Sequence, residues 1–158
     1  MKPALLTFLF IISVTATAQA RLGETPDQLV ARYGQPLSED DQKAEGIKIA
    51  ASTVVFQKGG FEIDVIVSEG VSVAETFKKL NGDSFTLEEV RYLLNANTQG
   101  HGWEAPQTVQ GTKLWTRDDA STARLNAEGT LFTIKSKELS SAQSLAKRLE
   151  RHPSLDGF

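Results

Sequence analysis

The chain has 158 residues, with 17 Lys and Arg against 20 Asp and Glu and a formal net charge of −3. So mild an acidity supplies no overall field to draw it to nucleic acid or an anionic bilayer. Cysteine is absent, which excludes disulfides, thiol nucleophiles, Cys-based zinc sites and a lipid-bearing N-terminal cysteine.

Residues 1–20, MKPALLTFLFIISVTATAQA, carry Lys2, an apolar run from Ala4 to Val14 and the small-residue stretch Ala18-Gln19-Ala20. A positive start, a short apolar middle and a small-residue end, in that order, predict a secretory signal peptide cleaved before Arg21. The run is shorter than the about 20 apolar residues a membrane-spanning helix needs, and no later run is long enough. The expected product is periplasmic or secreted, with no integral membrane segment after signal removal.

TPDQLVARYG (25–34) predicts a complete short helix. Thr25 caps it, Pro26 takes the first helical position, and Gln28 closes a capping box. Gly34 stops it in a conformation that costs other residues a Cβ clash, and Pro36 prevents resumption. SEDDQKAEG (38–46) reads as an exposed loop. Ile47 to Phe56 reads as a strand, followed by a turn at Gly59-Gly60. Phe61, Ile63, Val65 and Val67 then alternate with Glu62, Asp64 and Ser68, the pattern of a half-buried antiparallel strand. After a turn at Glu69-Gly70, Val71 to Phe77 continues as the next strand.

TLEEVRYLLN (86–95) repeats the helix punctuation. Thr86 caps, Glu89 closes the box, Phe85 and Val90 form a hydrophobic staple, and Asn95 stands where Gly34 stood. Helices this short are marginal alone and need a sheet to lie on. Gly100 to Thr112 reads as a loop. The strand set then recurs without gaps, 55–80 against 114–139: Glu69-Gly70 meets Glu128-Gly129, Lys78 meets Lys137, Leu80 meets Leu139, and Phe56 meets Trp115. Ala120 to Asn126 is the most polar strand of the series, which suits an edge or a solvated face. SSAQSLAKRLERHP, from Ser140, reads as a final helix capped by Ser140 and Gln143 with basic residues towards its end.

The expected fold is therefore α+β: two tandem repeats, each a helix followed by an antiparallel meander, with the helices on one face of a continuous sheet. The division is 1–20 signal peptide, 21–83 first repeat, 84–139 second repeat, and 140–158 C-terminal helix and tail. On GETPDQLVARYGQP, TLEEVRYLLN and the segments around Glu69-Gly70 and Glu128-Gly129, this pattern resembles the tandem fold of the β-lactamase inhibitory proteins. Each copy is similar to the SmpA/OmlA-type outer-membrane assembly lipoproteins. The resemblance implies a scaffold and a protein-binding habit. The chain departs from both families, since it has neither the lipid-bearing cysteine of the one nor the disulfides of the other.

Residues able to carry chemistry are few. Of the two histidines, His101 lies between Gly100 and Gly102 with Glu104 nearby, and His152 lies in the tail. A hydrolase centred on His101, with Glu104 or Asp118 as its carboxylate, would also need a nucleophile in reach. The acidic runs Glu39-Asp40-Asp41 and Asp118-Asp119 lack the ligand spacing of a calcium loop and read as solvated charge; no metal or cofactor is expected. Trp115 stands at the Phe56 position and reads as core; Trp103, in a loop beside His101, is the better contact candidate of the two, although burial is the favoured reading there as well. The leading expectation is an exported, non-enzymatic protein-binding or envelope-associated module that touches another envelope or secreted protein through Trp103, His101 and the open sheet face.

Overall fold

The computed structural model describes residues 21–42 and 51–143. The signal-peptide segment, residues 47–50 of the expected strand and the tail from 144 lie outside the described residues. In chain order the elements are α1 (Pro26–Tyr33), β1 (Ser38–Gln42), β2 (Ala51–Lys58), β3 (Phe61–Ser68) and β4 (Val71–Lys79). Then come α2 (Leu87–Ala96), β5 (Gln107–Val109), β6 (Thr112–Thr116), β7 (Thr122–Leu125) and β8 (Leu131–Lys135). A third helix, α3, is described over 137–143.

All eight strands join one antiparallel sheet in the order β1-β2-β3-β4-β8-β7-β6-β5. Each hairpin pairs its sequence neighbours, and the two meanders meet where β4 pairs with β8, Thr76 opposite Thr133 and Phe77 opposite Phe132. The turns have the geometry that sharp hairpins require: Gly59 and Gly60 have φ of 60° and 86°, and Glu69 and Gly70 have 53° and 81°. Positive φ at both central residues matches the right-handed twist of the flanking strands.

One sheet face is apolar because the strands alternate. Phe56, Ile63, Val65, Phe77, Trp115, Ala123, Leu125, Phe132 and Ile134 form a single buried cluster with Leu29 and Tyr33 of α1 and Val90, Leu93 and Leu94 of α2. Tyr33 packs on Phe56 with ring centroids 5.4 Å apart. Phe85, just before α2, packs on Phe61 and Phe132. Burying a side chain such as Phe132, which is 0% exposed, contributes about 1.5–3 kcal/mol. Both helices therefore lie on the same face, and both capping boxes form, at Thr25/Gln28 and at Thr86/Glu89.

Several expectations need correction. Residues 38–42 are not loop but β1, an edge strand on β2; an edge tolerates Asp and Glu, whose side chains keep their water while the backbone completes its ladder. The Gly100 to Thr112 segment contains β5, the opposite edge strand. β7 is internal, between β6 and β8, so its polar residues mark a solvated face and not an edge. α2 runs on through Asn95 to Ala96, and its cap is Asn97, whose φ of −104° is not left-handed. α3 starts earlier than Ser140: Ser136 Oγ accepts the N–H of Leu139 at 3.3 Å, and Ser140 already donates to the Ser136 carbonyl.

Candidate functional site

The segment after α2 is held by one buried cation. Arg117, directly after β6, is 3% exposed. Its Nε and Nη2 reach both oxygens of Asp119 at 2.8 and 2.7 Å, and Nη2 also donates to Gln99 Oε1 and Ser121 Oγ. Nη1 donates to the carbonyl of Asn97. A guanidinium removed from water needs this many acceptors, and a bidentate carboxylate supplies the compensating charge. Hydrogen bonds from Arg117 hold the Asp119 carboxyl well below the usual carboxylate range. Asp119 is thus no simple solvated charge. Sequence reasoning passed over Arg117, because its burial comes from the chain after α2 folding back on it.

Trp103 and His101 are brought into this neighbourhood. Trp103 bridges Arg117 backbone to backbone, its ring lies 5.5 Å from the guanidinium carbon, and its indole N–H donates to the Leu94 carbonyl at 2.8 Å. The ring is half-buried against the core, so both its polar and apolar parts serve the attachment of this loop to α2. His101 Nδ1 lies 2.5 Å from Asp118 Oδ1, while Asp118 Oδ2 accepts the Gly102 N–H at 2.9 Å. That N–H, followed by His101, holds the Asp118 carboxyl below its ordinary range. Glu104, by contrast, is exposed and engages Thr116 through its own N–H. The His101 and Asp118 side chains are 45% and 57% exposed, and His101 lines neither of the two clefts described next.

One cleft, of about 540 Å³, lies between the helices over the sheet and is lined by Tyr33, Phe61, Ile63, Phe77, Tyr92 and Leu93, with Lys58, Glu88 and Glu89 beside them. The other, of about 610 Å³, lies at the sheet end where α3 meets the opposite face, and is lined by Thr53, Ile66 and Leu139 together with Arg117 and Asp119 of the cluster above and Leu22. Contacts from Ser140 to Thr122 and from Lys135 to Gln143 seat α3 on that face. Beyond α3 the face carries Thr76 and Thr133 at its centre, Glu62 and Asp64 on β3, and Lys78 and Arg124 on β4 and β7. Three large apolar side chains stand out on the β5–β8 half: Val109, Leu114 and Leu131, at 62%, 37% and 40% exposure. The register places Leu114 beside Arg124 and Leu131 beside Lys78.

Among the described residues no group of three His, Cys, Asp or Glu side chains could hold a metal ion, and no helix is long and apolar enough to cross a membrane. Comparison with family models, with curated proteins and with solved structures finds no match.

Proposed function

We propose that the chain is an exported, non-enzymatic protein-binding module, periplasmic or secreted, whose contact surface is the sheet face opposite α1 and α2. The carrying observation is the group Val109, Leu114 and Leu131 on that face, flanked by Arg124 and Lys78. A single exposed apolar residue needs no explanation, but three on one sheet face, interleaved with the cations Arg124 and Lys78, favour a partner. The partner that fits is an envelope or secreted protein presenting apolar side chains bordered by carboxylates. Trp103 acts here by fixing the loop that leads to β5, its indole N–H on the Leu94 carbonyl of α2.

The tandem arrangement belongs to the same proposal. A 59-residue offset carries β2, β3 and β4 onto β6, β7 and β8. It also carries Glu75 onto Ile134, and these two residues are paired with each other across the β4–β8 junction. An approximate two-fold axis through that pair would relate the halves, in keeping with the resemblance to the tandem inhibitory proteins and, copy by copy, to the SmpA/OmlA-type lipoproteins.

The test is site-specific photo-crosslinking in the exported protein. Crosslinkers at Leu114 and Leu131 should yield the same discrete adduct, lost on Val109→Glu, whereas crosslinkers at Leu87 and Tyr92 on α2 should not. Adducts arising from α2 positions and not from the sheet would overturn the proposal. A second reading, a hydrolase centred on His101, draws on the 2.5 Å contact with Asp118. Its exposure argues against it, since a general base is tuned by a dry, enclosed site.

A further inference from the structure

Glu75 sits in the middle of the sheet on the helix-covered face, between Val65 and Ile134, and is 0% exposed. Tyr33 donates its hydroxyl to Oε2 at 3.2 Å. The backbone N–H of Arg21 also donates to this carboxylate. Oε1 has no hydrogen-bond partner among the described residues. The charged and titratable groups that act on it are Tyr33 and Arg32 of α1, while Arg21 contributes its backbone N–H; Tyr92 of α2 acts on Arg32. Arg32 is already committed to Glu24, both being about seven-eighths buried. A buried carboxylate with an orphaned oxygen is costly unless a further donor or a cation reaches it.

Residues 21–24 are pinned where such a donor could stand. Gly23 N–H donates to the Ser72 carbonyl and Ser72 N–H to that of Glu24, both at 2.8 Å. Ser72 Oγ donates to the Arg21 carbonyl and accepts the Glu24 N–H. Leu22, 4% exposed, donates to Asn97 Oδ1 and accepts from Gln99 Nε2. Asn97 is itself 0% exposed and anchored to the Leu93 carbonyl. The segment is thus a strap fixed on β4 and on the end of α2, and it delivers one atom to Glu75: the nitrogen of Arg21.

That nitrogen is also the one the sequence marks for release. We propose that removal of residues 1–20 makes the α-ammonium group of Arg21 the ionic partner of Glu75, so that export processing completes the core. This rests on the export reading above. Hydrolysis of the Ala20–Arg21 bond leaves the water oxygen on the Ala20 carboxylate and the protons on the Arg21 nitrogen, with an export-linked endopeptidase as the agent. An amide N–H offers one donor and no charge; the ammonium offers three donors and a positive charge, enough to serve both carboxylate oxygens. Only a chain starting at Arg21 has this group in place, because the strap leaves the position no slack.

The experiment compares the exported protein, whose first residue is read by intact mass, with a chain carrying Gln19-Ala20 ahead of Arg21. At pH 7 the processed chain should melt about 5 °C higher, and Glu75→Gln should abolish the difference. In the parent chains, carboxyl NMR should find Glu75 titrating well below neutrality when processed and near neutrality when extended. A first residue other than Arg21 would overturn the proposal through its export premise. Equal melting and equal Glu75 titration in two correctly defined chains would overturn the pairing itself.

Discussion

Asp119→Ala should be the most informative single change in the loop architecture. Arg117 is 3% exposed, and Asp119 is the only carboxylate bonded to its guanidinium among the described residues. Truncation leaves a buried cation facing neutral acceptors: the Asn97 carbonyl, Gln99 Oε1 and Ser121 Oγ. Breaking a buried pair in this way costs about 3–5 kcal/mol. The Asp119 side chain keeps 24% of its surface exposed, so water relieves part of the loss and about 3 kcal/mol is expected. Urea unfolding followed by tryptophan fluorescence measures it, and Trp103, stacked beside Arg117, should report the loosened loop. Removing the charge as well, in Arg117→Met/Asp119→Ala, should cost less than the two single changes added together. Asp119 has a depressed folded pKa, so its contribution is present above the unfolded value of about 3.9 and fades as pH falls below it. The gap between wild type and Asp119→Ala should therefore narrow in acid. A loss under about 0.5 kcal/mol at pH 7 would match an exposed surface pair and would refute the view that Asp119 neutralises a buried charge.

Two further outcomes can be checked directly. Thr25→Ala and Thr86→Ala should each lower stability by about 1 kcal/mol in urea titrations, since each removes one half of a formed capping box; Ser at either position should restore most of the loss. His101→Gln and Asp118→Asn should leave the urea midpoint unchanged, as the pair is solvent-exposed. Esterase or amidase activity that disappears with either substitution would favour the hydrolase reading over the binding one.

The parts of this structure legible in the residue string are those whose causes lie within a few positions of each other. A capping box spans three residues, and a two-residue hairpin turn needs only Gly59-Gly60 or Glu69-Gly70. The alternation along Phe61 to Ser68 names its own buried side. These local signals place α1, α2 and the hairpins of the first half, and they separate Trp115 as core from Trp103 in a loop. They misplace the acidic β1, because edge pairing is decided by the partner strand's free backbone groups and not by its own side chains. They also run α2 too short at Asn95, where a stop signal competes with a helix that still gains by burying Leu94 and Ala96.

Burial of polar groups lies further from the string. Glu75 looks like any polar residue alternating in a strand until β4 pairs with β8, whose contacts lie 57 residues apart in sequence at Thr76 and Thr133. Arg117 reads as surface charge until the chain after α2 folds back on it. In both cases the chemistry follows from desolvation, which depends on what long-range pairing stacks above a side chain. Short-range propensity and periodicity decided where this chain bends and coils; the closure of one sheet beneath two helices decided which of its charges lost their water.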